Sequence, residues 1–127
     1  MRLKSGVISL ACCAALAAPC HAAEGFTDGE KLLAYCADAE SDSPKINPFR
    51  AGYCFGFIEG ALRGWEAHAM VRNAPLNYCI PAGTSIGVLV SRIAQHVREN
   101  PAARAGRAEI SVLQAVQRAY PCAQPGK

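Results

Sequence analysis

Four cysteines are the residues most able to carry chemistry in this chain. Cys36, Cys54, Cys79 and Cys122 are separated by 18, 25 and 43 residues, whereas a structural zinc site takes its ligands from close pairs such as Cys-x-x-Cys. A catalytic cysteine needs a free thiolate beside a base. The other three of the seven cysteines lie within residues 1–22, which are predicted below to be a signal peptide, so four remain, and an even number of widely spaced cysteines in a small exported domain indicates disulfides. We therefore expect no metal site and no nucleophilic cysteine.

Histidines and carboxylates on predicted helices are the other candidates. His68 and His96 each lack a second ligand three or four residues away, which favours an ordinary hydrogen-bonded or solvated histidine. An ordinary surface ion-pair row is indicated by the three- and four-residue spacing of Glu59, Arg63 and Glu66. The two glutamates could in principle be the carboxylate pair of a glycosidase, but nothing else in the sequence supports a sugar site. Without a phosphate loop or nucleophile elbow, the sequence predicts no catalytic residue and no cofactor.

Residues 1–22 have the pattern of a secretory signal peptide. Arg2 and Lys4 form a basic start, and an apolar run of small residues follows that is too short to cross a bilayer. Cleavage after Ala22 would place Cys20 at the −3 position and Ala22 at the −1 position, and both side chains are small enough for a signal peptidase. The early cysteines do not fit lipid attachment. We therefore expect export to the periplasm.

The remaining residues, 23–127, amount to one domain. The chain is 51% hydrophobic and 18% charged, which is typical of a folded domain and not of a disordered one. It has 13 Lys and Arg against 10 Asp and Glu, and without the two signal-peptide cations the net charge is +1. Such a domain lacks the basic field that holds nucleic acid, and no second run is apolar enough to span a membrane.

Capping signals and apolar periodicity predict four helices and no strand. The expected class is therefore all-α, a compact bundle of about four helices arranged as two hairpins and stapled by disulfides. The predicted helices run from the capping box Thr27–Glu30 to Asp38 or Ala39, from Asn47-Pro48 to before Pro75, from a Thr84 or Ser85 cap to Asn100, and from Pro101 to Tyr120.

The predicted hairpins rank the three possible disulfide pairings. In an antiparallel hairpin the end of one helix lies beside the start of the next, which favours Cys36 with Cys54 and Cys79 with Cys122. Closing loops of these lengths would stabilise the fold by about 3 and about 4 kcal/mol, respectively.

The second helix carries an unusual row of glycines at spacing four. Each of Gly52, Gly56, Gly60 and Gly64 costs about 1 kcal/mol relative to alanine, so compensation is expected. Positions without side chains four residues apart make a shallow groove that lets another helix approach closely. We expect that helix to come from the same chain, with a subunit contact as the alternative.

An ordered series of motifs resembles the Rap/Tai immunity proteins of type VI secretion. The series extends from Gly25 to Cys122, nearly the whole chain after the signal, and is more specific than any single motif. It departs from the family pattern at Val88, where glutamine is frequent, and at Tyr120, where phenylalanine is usual. The motifs are Gly25-Phe26, Leu32-Leu33-x-x-Cys36, Cys54-x-Gly56-Phe57-Ile58-x-Gly60, Cys79-x-Pro81, Leu89-Val90, Asn100-Pro101 and Ala119-Tyr120-Pro121-Cys122.

This resemblance implies a small helical periplasmic protein, commonly a homodimer. Its partner would be a peptidoglycan amidase delivered by a neighbouring bacterium, and it would block the catalytic cleft of that enzyme. Blocking requires a rigid protrusion, because rigidity lowers the ordering cost of binding.

Two connectors are the candidate contact loops. One extends from residue 40 to 47 and contains Glu40 and Asp42. The other extends from residue 72 to 78, and it is favoured because Arg and Tyr are common hot-spot types. Its candidate contacts are Arg72, Asn73, Leu76 and Tyr78. Alternatively, both loops only connect helices and Tyr78 packs on the core.

Two other functions remain open at this point. A general periplasmic helical factor, such as a stress chaperone or an envelope assembly protein, would share the signal and the disulfides, since a fold does not determine a function. A small hydrolase would need a free thiol.

Overall fold

The computed structural model describes residues 28–123, which form five α-helices and no strand. The prediction of an all-α bundle is confirmed. The predicted signal peptide lies outside the described residues. The helices are α1 (Gly29–Ala39), α2 (Pro48–Val71), α3 (Ile86–Glu99), α4 (Pro101–Ala105) and α5 (Ala108–Ala119).

The five helices form two hairpins around one core. Helix α1 packs mainly on α2, and α3 packs mainly on α5. Their apolar stripes meet at fully buried aliphatic side chains, which include Leu32, Ile58, Ile93, Val97 and Val112. Among the described residues, no helix is both long and apolar enough to cross a membrane.

Both predicted disulfides are present. Cys36 bonds to Cys54 across the α1–α2 hairpin, with their Cα atoms 5.1 Å apart. Cys79 precedes α3 and bonds to Cys122, which follows α5, with their Cα atoms 4.8 Å apart. All four cysteines of the described region are therefore paired, and none has a free thiol there.

The capping residues in the sequence predict most helix ends correctly. The Asn47 side chain accepts from the backbone N–H groups of Phe49 and Arg50, and Ser85 accepts from Val88. At α1 the predicted capping box is not the cap. The N-cap is Asp28, one residue after the predicted Thr27. The Asp28 carboxylate accepts a hydrogen bond from the Lys31 N–H at 2.8 Å.

The fourth predicted helix is divided into α4 and α5. Gly106 and Arg107 between them are extended, with ψ of 173° and 130°. The break lets the Gly106 carbonyl accept from the Gly29 N–H at 3.0 Å, which ties the start of α1 to this corner. No side chain fits at Gly29, because a Cβ there would lie 2.3 Å from the Ala103 carbonyl oxygen.

The expectation that the glycine row packs inside the chain is wrong. A Cβ added at Gly52, Gly56, Gly60 or Gly64 would meet no described atom within 4 Å. The glycines lie on the side of α2 opposite the buried Ile58, and all four are exposed. We call this surface the glycine face.

Candidate functional site

Helix α2 ends in a turn whose first residues are held by backbone hydrogen bonds. Asn73 takes the left-handed conformation, with φ of 50°. The Asn73 N–H donates to the Met70 carbonyl at 3.1 Å, and the Ala74 N–H donates to the Ala69 carbonyl at 2.9 Å. These are the two bonds of a Schellman motif, in which asparagine can replace glycine at the left-handed position. Residues 70–78 are called the α2–α3 turn below.

The tip of this turn is apolar and open to solvent. Met70 and Val71 are 81% and 85% exposed, and Leu76 is 38% exposed. Adjacent exposed apolar side chains of this size are a feature of binding surfaces, whereas single ones are ordinary. The tip also carries Arg72, whose guanidinium makes no ion pair with any described residue.

The base of the turn is anchored by Tyr78. Its side chain is 3% exposed, and its hydroxyl donates toward the Leu62 carbonyl oxygen at 3.4 Å and toward a Glu66 carboxylate oxygen at 3.5 Å. Burial raises the pKa of the Tyr78 hydroxyl to about 12, and the nearby Glu66 charge adds to the rise. The hydroxyl therefore stays protonated and able to donate.

A second anchor lies at the next residue. The Cys79 N–H donates to the Tyr120 carbonyl at 2.8 Å, and the Cys79–Cys122 disulfide joins the same two segments covalently. The turn is thus held by α2 on one side and by the end of α5 on the other. An exposed tip on a fixed base is a preorganised protrusion, which loses little conformational entropy on binding.

The structure places the predicted contacts of this connector in two groups. Arg72, Asn73 and Leu76 are exposed at the turn. Tyr78 is buried, so the prediction that its side chain offers a contact is corrected: an apolar ring with one hydroxyl donor is more stable packed against α2. Tyr78 positions the turn and does not present itself to a partner.

The other connector is fixed differently. Glu40 forms a two-bond ion pair with Arg98 of α3, at 2.8 and 3.2 Å. Asp38 accepts from the Asn47 N–H and pairs with Arg50 at 3.1 Å, which closes the base of the loop. Asp42 is exposed. Glu40 therefore has an internal partner, and this loop carries a smaller apolar surface than the α2–α3 turn, with Ile46 37% exposed.

The remaining titratable residues do not gather into a metal site. Within residues 28–123, no three His, Cys, Asp or Glu side chains lie close enough to hold a metal ion. His68 is exposed beside Trp65, and His96 packs between α3 and α5 with Asn100 as its neighbour. The predicted ion-pair row is present in part, because Arg63 pairs with Glu66 at 2.9 Å while Glu59 makes no ion pair in the described region.

Met70 and Val71 are the residues that sequence reasoning missed. They were assigned to the helix, and only the connector after it was considered as a contact. Counting helix positions gives a usable signal, since both residues fall on the side of α2 that faces away from Ile58. Apolar residues on the outward side of the last helical turn have no core to enter.

The fold and the turn define a small, disulfide-linked helical protein that presents an apolar protrusion on a fixed base. Residues 28–122 match the family model of the Rap1a immunity proteins. The chain belongs to this family, which confirms the resemblance seen in its motifs and makes it an immunity protein against a toxin. No curated protein and no solved structure matches the chain.

Proposed function

We propose that this chain binds a peptidoglycan amidase delivered by type VI secretion and blocks its catalytic cleft with the α2–α3 turn. The observation that carries the proposal is the exposure of Met70 and Val71 on a turn anchored by Tyr78 and by the Cys79–Cys122 disulfide. A catalytic cleft is concave and largely apolar, so a convex apolar turn is the complementary shape. Family membership supplies the toxin as a class of partner.

Inhibition on this model is steric. The tip fills the cleft and excludes the peptide stem of the peptidoglycan, and no group on the immunity protein needs to react. Arg72 at the edge of the tip adds a guanidinium, which is a frequent hot-spot group at protein interfaces.

The periplasm is the proposed location. Two disulfides in about a hundred residues are typical of an oxidising compartment, because cytosolic reductants keep such thiols reduced. The signal-peptide pattern of residues 1–22 supports the same location. Peptidoglycan lies there, so the protein would meet its toxin where the toxin acts.

We further propose that two copies associate through the glycine face. Phe49, 71% exposed, borders the four glycines, and a Cβ added at any of these glycines would meet no described atom within 4 Å, so this side of α2 presents a long surface of small and apolar residues. Gly residues four apart let a second helix approach closely, and that approach would compensate their helix-propensity cost. Met70 and Val71 lie on the same side of α2, about two turns beyond Gly64, so a contact centred on Gly52 and Gly56 would leave them free.

Inhibition of the toxin is the direct test. The genes beside the one for this chain are searched for a peptidoglycan amidase, which is purified and assayed on isolated peptidoglycan with increasing amounts of this protein. We expect stoichiometric inhibition and a complex that survives size-exclusion chromatography. Full amidase activity in excess protein would contradict the proposal.

The same experiment separates an immunity protein from a general periplasmic chaperone. A chaperone binds many unfolded clients weakly, whereas an immunity protein holds one folded partner with a Kd of roughly nanomolar order. Suppression of aggregation of unrelated denatured proteins, without inhibition of the amidase, would favour the chaperone.

A further inference from the structure

An open groove of about 500 Å³ lies between α2 and α3 beside the α2–α3 turn. Its apolar lining comes from Leu62 on α2, from Ile80 just after the turn, and from Ile86 and Leu89 on α3. Leu62 also supplies the carbonyl that faces the Tyr78 hydroxyl, so the groove begins where the base of the turn ends. We call it the α2–α3 groove.

The rim of this groove is acidic. Glu59 and Glu66 stand on α2 along one side, and the only cation among the lining residues is Arg63. Arg63 is bonded to Glu66 at 2.9 Å, which neutralises that carboxylate in part. Glu59 is exposed and has no ion pair within residues 28–123. Arg63 also attracts Glu59 electrostatically, but one guanidinium against two carboxylates leaves the groove with a net charge of −1 over an apolar floor.

This combination fits a specific class of group. A lysine or arginine side chain has an aliphatic stem that favours apolar contact and a cationic end that favours a carboxylate. A purely apolar side chain would leave Glu59 unpaired, and an acidic one would be repelled by it. The two carboxylates lie seven residues apart on one helix, about two turns, with Arg63 between them and paired with Glu66, so an added cation would approach Glu59.

We propose that the α2–α3 groove receives a basic side chain of the toxin, with its stem on Leu62, Ile80 and Leu89 and its charge beside Glu59. This inference rests on the proposed function, since it presumes that the toxin covers the adjoining turn. It adds a second contact of opposite character to the apolar tip. The tip supplies most of the burial, and the groove selects a toxin with a cation at the matching distance.

Charge-removing variants test the groove. The affinity of the adjacently encoded amidase is measured for the full protein, for Glu59→Gln and for Glu66→Gln, with Glu99→Gln as a matched control, because Glu99 is also an exposed helical carboxylate but faces away from the groove. Removing the Glu59 charge should weaken binding by about three- to tenfold, mainly by slowing association, and Glu59→Lys should weaken it further. The control should bind as the unchanged protein does.

The dependence on salt gives a second readout. Affinity of the unchanged protein should fall between low and high ionic strength, and Glu59→Gln should lose part of that dependence. Circular dichroism melting of each variant shows whether the fold is intact, and Glu59 is exposed, so no loss is expected.

The outcomes separate this inference from the proposed function. If the amidase binds and is inhibited but all three Gln variants bind equally well, the groove proposal is overturned while the function stands. If no complex forms with the unchanged protein, the function itself fails. If Glu59→Gln changes only the association of two copies of this chain, the groove belongs to a subunit contact and the proposal is wrong.

Discussion

The Tyr78 hydroxyl lies 3.4 Å from the Leu62 carbonyl oxygen, and this contact ties the base of the α2–α3 turn to the middle of α2. Sixteen residues separate the two in sequence. The chain between them leaves α2, forms the Schellman turn at Asn73 and returns, so its exposed tip is held at both ends.

Truncating Tyr78 should therefore cost stability as well as binding. Tyr78→Ala removes a buried aromatic ring and should lower the free energy of unfolding by about 3–5 kcal/mol. Tyr78→Phe keeps the ring and loses the hydroxyl, with an expected cost of about 0.5–1.5 kcal/mol. Urea denaturation measures both. A Tyr78→Ala variant as stable as the unchanged protein would mean that the ring is not packed in the core.

The two disulfides should differ in their effect on the α2–α3 turn. Replacing Cys36 and Cys54 by serine should lower stability by about 3 kcal/mol, and replacing Cys79 and Cys122 by about 4 kcal/mol. Only the second pair anchors the α2–α3 turn. Amide hydrogen exchange of residues 70–78 should accelerate in the Cys79/Cys122 variant and stay nearly constant in the Cys36/Cys54 variant. Equal acceleration in both would show that the turn does not depend on its own disulfide.

Stability should decrease as the pH falls below about 6.5, the ordinary pKa of histidine. Burial lowers the pKa of His96, Arg118 lowers it further, and Glu99 opposes them. The Asn100 side-chain amide donates to the His96 carbonyl at 2.6 Å and its nitrogen lies 3.3 Å from His96 Nδ1, so a protonated ring would place an N–H group against the amide N–H.

The unfolded chain therefore takes up a proton at a higher pH than the native chain, and stability is lost through that interval. Urea midpoints at pH 7.5 and pH 5.5 measure the loss. His96→Gln should reduce the difference between the two midpoints. An equal pH effect in the His96 variant would assign the loss to other groups.

Alanine in the glycine face should stabilise the single chain and weaken its association. Gly56→Ala and Gly60→Ala each place a methyl group in open space, so each should raise the free energy of unfolding by up to about 1 kcal/mol. A leucine at either position would hold a second helix away. Sedimentation equilibrium of Gly56→Leu should show monomers where the unchanged protein shows dimers. Gly83→Ala is unsuitable as a control, because the backbone φ of Gly83 is 84° and a side chain there would be strained.

Local chemistry explains which features could be predicted from the sequence. The side chains of Asn47 and Ser85 cap the backbone N–H groups of the residues that directly follow them, so the starts of α2 and α3 could be predicted. The disulfides followed from the hairpin order. The division at Gly106 was not readable, because the Gly29 N–H that bonds to its carbonyl is 77 residues away in sequence. The burial of the Tyr78 side chain was not predictable either, because its hydroxyl faces the carbonyl of Leu62, sixteen residues away in sequence.

The candidate site was predictable in location but not in composition. The sequence predicts a connector from residue 72 to 78, and the structure places the turn at its start. The burial of Tyr78 depends on the distant carbonyl of Leu62, which local periodicity does not report. The exposure of Met70 and Val71 and the outward direction of the glycine row follow from helix positions opposite Ile58, so counting positions along α2 could have indicated both.

Inhibition of the adjacently encoded amidase by a tip variant tests the central claim most directly. Val71→Asp puts a charge on a side chain that is 85% exposed, and Ile110→Asp does the same on α5 at 45% exposure, away from the turn. We expect Val71→Asp to melt at the unchanged temperature and to lose about tenfold or more in inhibition, while Ile110→Asp inhibits fully. Full inhibition by Val71→Asp would contradict the claim that this turn enters the catalytic cleft.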